Sequence, residues 1–240
     1  MAPVRLHVDV VGIGQPRRAL VIHGLGSDCR TMWQVTAHLV GQGHEVHAPD
    51  LRGHGRSPAA GTYALLEMVE DVALLGHGWD VVVGHSLGGA VLAELLTRPG
   101  YAVRGVLLDP VLTILGDAAR VIAETIVAEV GGDLTLAALQ EASPKWHAED
   151  HWRKVAASAT VSPLVVTSCI HDSAPWDLSD RPARWTCPVH IVAADPVEGA
   201  MFVASSIPGI DDLEDVRVTV IEGAGHSVHR DDPAAVLATL

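Results

Sequence analysis

The sequence predicts an α/β domain, a mostly parallel sheet covered by helices on both faces. Three observations carry that prediction. Short β-branched and aliphatic runs alternate with helix-forming segments along most of the chain, and such alternation needs crossover helices that sandwich parallel strands. One run, Val81-Val82-Val83, passes through Gly84-His85-Ser86-Leu87-Gly88 directly into Val91-Leu92-Ala93-Glu94-Leu95-Leu96. Glycines flanking a serine permit a sharp strand-to-helix turn that pushes the hydroxyl beyond the strand end. Finally, 240 residues that are 48% hydrophobic and only 4% aromatic supply a large aliphatic core, enough for one sizeable α/β domain or a core with an insertion.

Arg5 to Val11 alternates and is closed by a turn at Gly12-Ile13-Gly14-Gln15-Pro16. Arg18 to His23 is a buried strand ending at Gly24-Leu25-Gly26-Ser27. Ser27 or Asp28 can cap the next helix, whose apolar face takes in Met32, Trp33, Val35, Leu39 and Val40. His44 to Ala48 is a strand, Asp50 to Ser57 a glycine-rich loop, and Leu65 to Leu75 a helix before the serine strand. Arg104 to Asp109 is another strand, broken by Pro110. From there to Cys187 strand signals vanish: Ile114 to Val130 and Leu134 to Glu141 read as helices, and tryptophans and Ser-Pro breaks follow. So long a segment is too large for a loop, which predicts a helical insertion over residues 111–187 within a core of 1–110 and 188–240. Strands resume at Pro188 to Asp195 and Val216 to Ile221, with helices around Gly199 to Ser206 and from Pro233 to Leu240.

A formal net charge of −13 argues against nucleic acid or an anionic membrane as partner, and disfavours polyanionic substrates unless a basic pocket overrides the average. Cys29, Cys169 and Cys187 form neither a paired framework nor a metal spacing, which suits a reducing compartment. The start, from Met1-Ala2-Pro3 to His7, lacks the basic-then-apolar layout of a signal peptide, and no apolar run spans a bilayer. The expectation is a soluble, cytoplasmic protein.

The order His23-Gly24-x-Gly26-Ser27, Asp50-x-x-Gly53-x-Gly55-x-Ser57, Gly84-His85-Ser86-x-Gly88-Gly89, an aspartate after a late strand and Gly225-His226 resembles the α/β-hydrolase family over nearly the whole chain. The resemblance implies an eight-stranded, mostly parallel sheet with Ser86 on its elbow. It also makes the helical insertion the cap that this family sets over the active site after the sixth strand.

A serine hydroxyl is a poor nucleophile unless a histidine takes its proton and a carboxylate orients that histidine. His226 follows Gly223-Ala224-Gly225 after the last strand, where a loop brings the ring over the elbow, and the family carries its base there. His85 is read as a packing residue and His229 as a surface or supporting one. Two aspartates end strands. Asp195 precedes Pro196 and gives the Ser-Asp-His chain order of the family, so it is the expected acid. Asp109, one strand earlier, is the alternative, a position some members of the family use. The expected oxyanion donors are the backbone N–H groups of Leu87, directly after the nucleophile, and, by resemblance, Leu25. His54 and the arginines of the Asp50 to Ser57 loop are read as parts of a structural turn.

His147 and His151 stand four apart on a helix, a spacing that metals use, but the zinc-protease letter order is missing and a solvated helix face is the expectation. No metal and no cofactor is expected: dinucleotide and phosphate-loop fingerprints are absent. Trp33, Trp146, Trp152 and Trp176 fill the insertion or wall a substrate, Trp33 and Trp176 being the substrate-binding candidates. The expected partner is therefore a small apolar ester or lactone, hydrolysed by a Ser-His-Asp triad. Carbon–carbon bond hydrolysis and cofactor-free perhydrolysis on the same fold are alternatives, as is a non-catalytic small-molecule receptor. Epoxide and haloalkane chemistry is disfavoured, because those relatives carry an aspartate where Ser86 stands.

Overall fold

The computed structural model describes residues 3–114, 116–132 and 134–240. Met1, Ala2 and Leu115, which belong to the predicted N-terminal and 114–130 segments, lie outside them. The strands are β1 (Val8–Val11), β2 (Arg17–Ile22), β3 (His44–Pro49), β4 (Val81–His85), β5 (Gly105–Leu108), β6 (Val189–Ala194) and β7 (Val216–Ile221). They form one sheet in the order β1-β3-β2-β4-β5-β6-β7, parallel throughout except for β1 against β3. The eighth strand implied by the resemblance is not present among the described residues. The seven observed strands coincide with the seven runs marked by residue pattern alone.

Each central strand divides its side chains between two cores, as the two-residue period of a pleated strand requires. Leu20, Ile22, Val82, Leu107 and Ile191 pack on one face beneath α2 (Leu65–Ala73) and α3 (Leu87–Leu95). Val21, Val81, Val83, Val106 and Val192 pack on the other, against α1 (Trp33–Gly41) and the C-terminal helices. Each fully buried valine or leucine contributes about 1.5–3 kcal/mol relative to exposure, so the centre of the sheet is the rigid base of the site.

Several boundaries differ from the sequence expectation for local reasons. Helix α1 begins one 3-10 turn late, after Cys29–Met32, and Asp28 caps that turn by accepting the Arg30 N–H at 3.0 Å. No helix forms over Gly199 to Ser206; two 3-10 turns, Pro196–Glu198 and Ala204–Ser206, stand there, the first ended by Gly199 at φ 88°. Between β5 and β6 run α4 (Ala118–Val127), α5 (Leu136–Ala142), α6 (Ala148–Ser158) and α7 (Pro163–Asp172). The helical insertion thus follows the fifth of seven strands rather than the sixth of eight. The chain ends in α8 (Val228–Asp231), which was not expected, and α9 (Pro233–Leu237). Pro233 has no N–H to continue a helix, and Asp232 restarts one by accepting the Ala235 N–H at 2.9 Å. No helix among the described residues is long and apolar enough to cross a membrane.

Candidate active site

Ser86 sits between β4 and α3 at φ 54°, ψ −115°, a left-handed conformation that non-glycine residues adopt only when the surroundings enforce it. The enforcement is close packing. A Cβ on Gly84 would lie 2.5 Å from the Gly88 carbonyl oxygen, and one on Gly88 would lie 2.5 Å from that of Ile22. Helix α3 therefore starts directly behind the serine. Its ladder opens with the Ala90 N–H on the Ser86 carbonyl at 3.0 Å, leaving the Leu87 N–H in the unpaired first turn.

His226 lies in the loop between β7 and α8, with its Nε2 2.9 Å from Ser86 Oγ. Its Nδ1 is 2.6 Å from Oδ2 of Asp109. Asp195, the expected acid, is not brought to His226. Strand β5 is hydrogen-bonded to β4 whereas β6 is one strand further out, so the end of β5 is the one beside the serine; Ser86 N–H donates to the Leu108 carbonyl at 3.0 Å. Asp109 adopts φ 39° and is fully buried. Its carboxylate accepts the N–H groups of Ala194 (3.0 Å), Met201 (2.8 Å) and Phe202 (3.3 Å), which hold it rigidly opposite the imidazole. Asp195 instead accepts the N–H groups of Gly223 at 2.9 Å and Val197 at 3.1 Å, and these bonds draw its pKa below the ordinary carboxylate value. It braces the base of the loop that carries His226.

The histidines around the elbow support it. His85 donates through Nε2 to the His226 carbonyl at 2.9 Å, and its ring lies 4.8 Å from that of His226 and 4.5 Å from that of His229. His229 is buried rather than at the surface, with neither ring nitrogen hydrogen-bonded. Burial holds the pKa of both His85 and His229 well below the usual histidine value, so both rings are neutral.

The loop through Leu25 passes against the serine, since a Cβ on Gly24 would lie 3.1 Å from Ser86 Cβ. His23 Nδ1 donates to the Gly24 carbonyl at 2.8 Å while its Nε2 accepts the Leu51 N–H at 3.0 Å. His54 Nε2 accepts the Gly26 N–H at 3.3 Å and its Nδ1 donates to the Arg52 carbonyl at 2.9 Å. Burial lowers both pKa values, that of His54 to about 3. Two neutral histidines thus fasten the Leu25 loop to the Asp50 to Ser57 turn. The sequence marked that turn as structural; it did not reveal His23 and His54 as its fasteners.

Ser86, His226, Leu25 and Leu87 open into a cavity of about 1020 Å³. Its apolar wall includes Ile122, Ile126, Leu139, Trp146 and Trp176. Trp176 lines the cavity, tied through Nε1 to the Val111 carbonyl at 2.9 Å. Trp33 is not; its Nε1 donates to Asp150 Oδ1 at 2.8 Å, which fastens α1 to α6, and Trp152 is 60% exposed. The α4 wall residues were legible only as an amphipathic helix, without the element they face. His147 caps α6 by accepting the Glu149 N–H at 3.1 Å. His151, expected on a solvated face, is buried with Nε2 donating to the Ser143 carbonyl at 3.0 Å. Among the described residues no group of three histidine, cysteine or acidic side chains is placed to hold a metal. All three cysteines are buried and unpaired.

Comparison with known proteins agrees with this fold. A curated relative, the lipase LipV of Mycobacterium tuberculosis, is 39% identical over 130 residues, which are 52% of this chain and 49% of that protein; the chain thus matches about half of its relative's length. The esterase of Exiguobacterium antarcticum superposes with a TM-score of 0.78 over 98% of this chain and 93% of that one, at 19% identity. An E-2-(acetamidomethylene)succinate hydrolase superposes with a TM-score of 0.77 over 98% and 97%, at 22% identity. The family described as "Alpha/beta hydrolase family" matches residues 19–239, and with sheet, elbow and chain order in agreement, this chain belongs to that family.

Proposed function

We propose that the chain is a serine hydrolase that cleaves a carboxylic ester or lactone with an apolar body. One observation carries the reading: the hydrogen-bonded relay Asp109 Oδ2–His226 Nδ1 (2.6 Å) and His226 Nε2–Ser86 Oγ (2.9 Å), whose Ser86 and His226 line a largely apolar cavity. His226 Nδ1–H donates to the carboxylate, which leaves Nε2 as the acceptor of the serine proton. Ser86 Oγ attacks the carbonyl carbon as that proton moves to Nε2, and Asp109 stabilises the imidazolium so formed. The Leu25 and Leu87 N–H groups receive the negative oxygen. His226 then protonates the leaving alkoxide, and water repeats the sequence on the acyl-enzyme. The names of the lipase and esterase relatives support ester chemistry, and the enclosing helices of residues 111–187 support an apolar substrate.

The test is labelling with a fluorophosphonate followed by peptide mass spectrometry, alongside a panel of p-nitrophenyl esters and lactones. The expected adduct is on Ser86, with labelling and turnover lost in Ser86→Ala and His226→Ala. A folded wild type that takes no label and turns over no ester overturns the proposal.

A further inference from the structure

Arg230 lines the cavity, and the hydrolase reading leaves its chemistry unused. It projects from α8, is 4% exposed, and lines the same cavity as Ser86 and His226. A guanidinium offers five N–H donors. Among the described residues, this one makes a single long hydrogen bond, Nη2 to Ser27 Oγ at 3.5 Å. Its carbon lies 4.8 Å from the centre of the Trp146 ring, and its Nε is buried without an acceptor.

The surrounding carboxylates offset part of its charge through space, but among the described residues none accepts a hydrogen bond from it, each being bound to another donor. Asp150 accepts from Trp33 and Gln34. Glu129 pairs with Lys154 at 2.9 Å. Asp231 accepts from Trp146 and the Gly225 N–H, and Asp28 from Arg30. A buried N–H donor without an acceptor is costly in a folded chain, and its presence at a cavity wall points to an acceptor that comes from outside. The shape of the fork selects the partner, since a guanidinium edge meets a carboxylate through two parallel N–H···O bonds. The net charge of −13 sets a repulsive field against polyanions, which favours a single carboxylate.

We propose that Arg230 makes its part of the cavity wall a carboxylate subsite, so that the preferred substrate is an ester whose apolar body also carries a carboxylate. The inference rests on the hydrolase reading for the reaction, and on Arg230 alone for binding.

The experiment has two arms. In the first, calorimetry measures binding of octanoate and octanamide to the wild type, Arg230→Gln and Arg230→Lys. The second compares kcat/KM for mono-p-nitrophenyl suberate with that for p-nitrophenyl octanoate. We expect the wild type to favour the carboxylate in both arms by about ten- to a hundredfold, Arg230→Gln to abolish the preference, and Arg230→Lys to retain part of it. A wild-type ratio near one overturns the proposal, as does a ratio that neither variant changes. Should Arg230→Gln fail to fold, the wild-type and lysine ratios decide alone. Failure of the wild type to turn over either ester, together with no fluorophosphonate label on Ser86, refutes the hydrolase reading, while the octanoate comparison still decides the subsite.

Discussion

Asp109 Oδ2 lies 2.6 Å from His226 Nδ1, although 117 positions separate the two residues. In the proposed mechanism that contact sets the tautomer of the base. Replacing Asp109 with asparagine leaves the shape intact but presents an amide that suits the wrong tautomer. The expected loss is about 10⁴-fold in kcat, the scale seen when a triad acid becomes an amide. Asp195→Asn, by contrast, touches only the brace on the Gly223 loop and is expected to cost far less. Steady-state kinetics on one p-nitrophenyl ester separates the two; a larger loss from the Asp195 variant would reverse the assignment.

The two aspartates explain why the acid was hard to read. Each directly follows an apolar strand and directly precedes a proline, Asp109-Pro110 and Asp195-Pro196, so their local signatures are alike. What separates them is non-local, namely which strand pairs with β4. Ser86 and His226 were legible because glycines punctuate them and the strand pattern places them. The strands were legible because each central one feeds two cores in alternation. Trp33 was misplaced for the same reason as the acid, since its partner Asp150 lies 117 positions away.

The elbow depends on the missing side chain of Gly88. An alanine Cβ there would press on the backbone carbonyl oxygens of Ile22 and His23 at 2.5 and 2.6 Å, and backbone of a central strand cannot yield cheaply. Gly88→Ala is expected to lose about 1–3 kcal/mol of stability and to abolish Ser86 labelling even where the chain remains folded. Chemical denaturation and the fluorophosphonate assay read the two effects.

Four buried histidines make the fold sensitive to acid. His23, His54, His85 and His229 all have folded-state pKa values below the usual histidine value, burial being the first cause in each. Below about pH 6.5 the unfolded chain takes up protons that the folded chain refuses, so stability falls as pH falls. Each histidine contributes up to about 1.4 kcal/mol per pH unit in that window. Urea titrations at pH 7.5 and 5.5 should show a marked drop, and it should shrink in His229→Leu. Equal stability at the two pH values would contradict the burial of these rings in neutral form.

Arg52 is another buried guanidinium, with a different outcome. Its Nε and Nη2 meet the Asp71 carboxylate at 2.6 and 2.8 Å, and Nη1 meets Glu67 at 3.0 Å. Removing one member strands the other without water. Arg52→Ala is expected to cost about 3–5 kcal/mol, measured by denaturant unfolding, without altering the triad distances.

Helix α4 has no fully buried residue, yet Ile122 and Ile126 face the cavity while Arg120 and Glu124 pair on its exposed side. Its apolar stripe is only half covered by protein. An aliphatic chain drawn into the cavity would finish that coverage, so in energetic terms the bound substrate acts as part of the hydrophobic core. Folding and recognition then share one apolar surface, and binding should carry a negative heat-capacity change and raise the melting temperature.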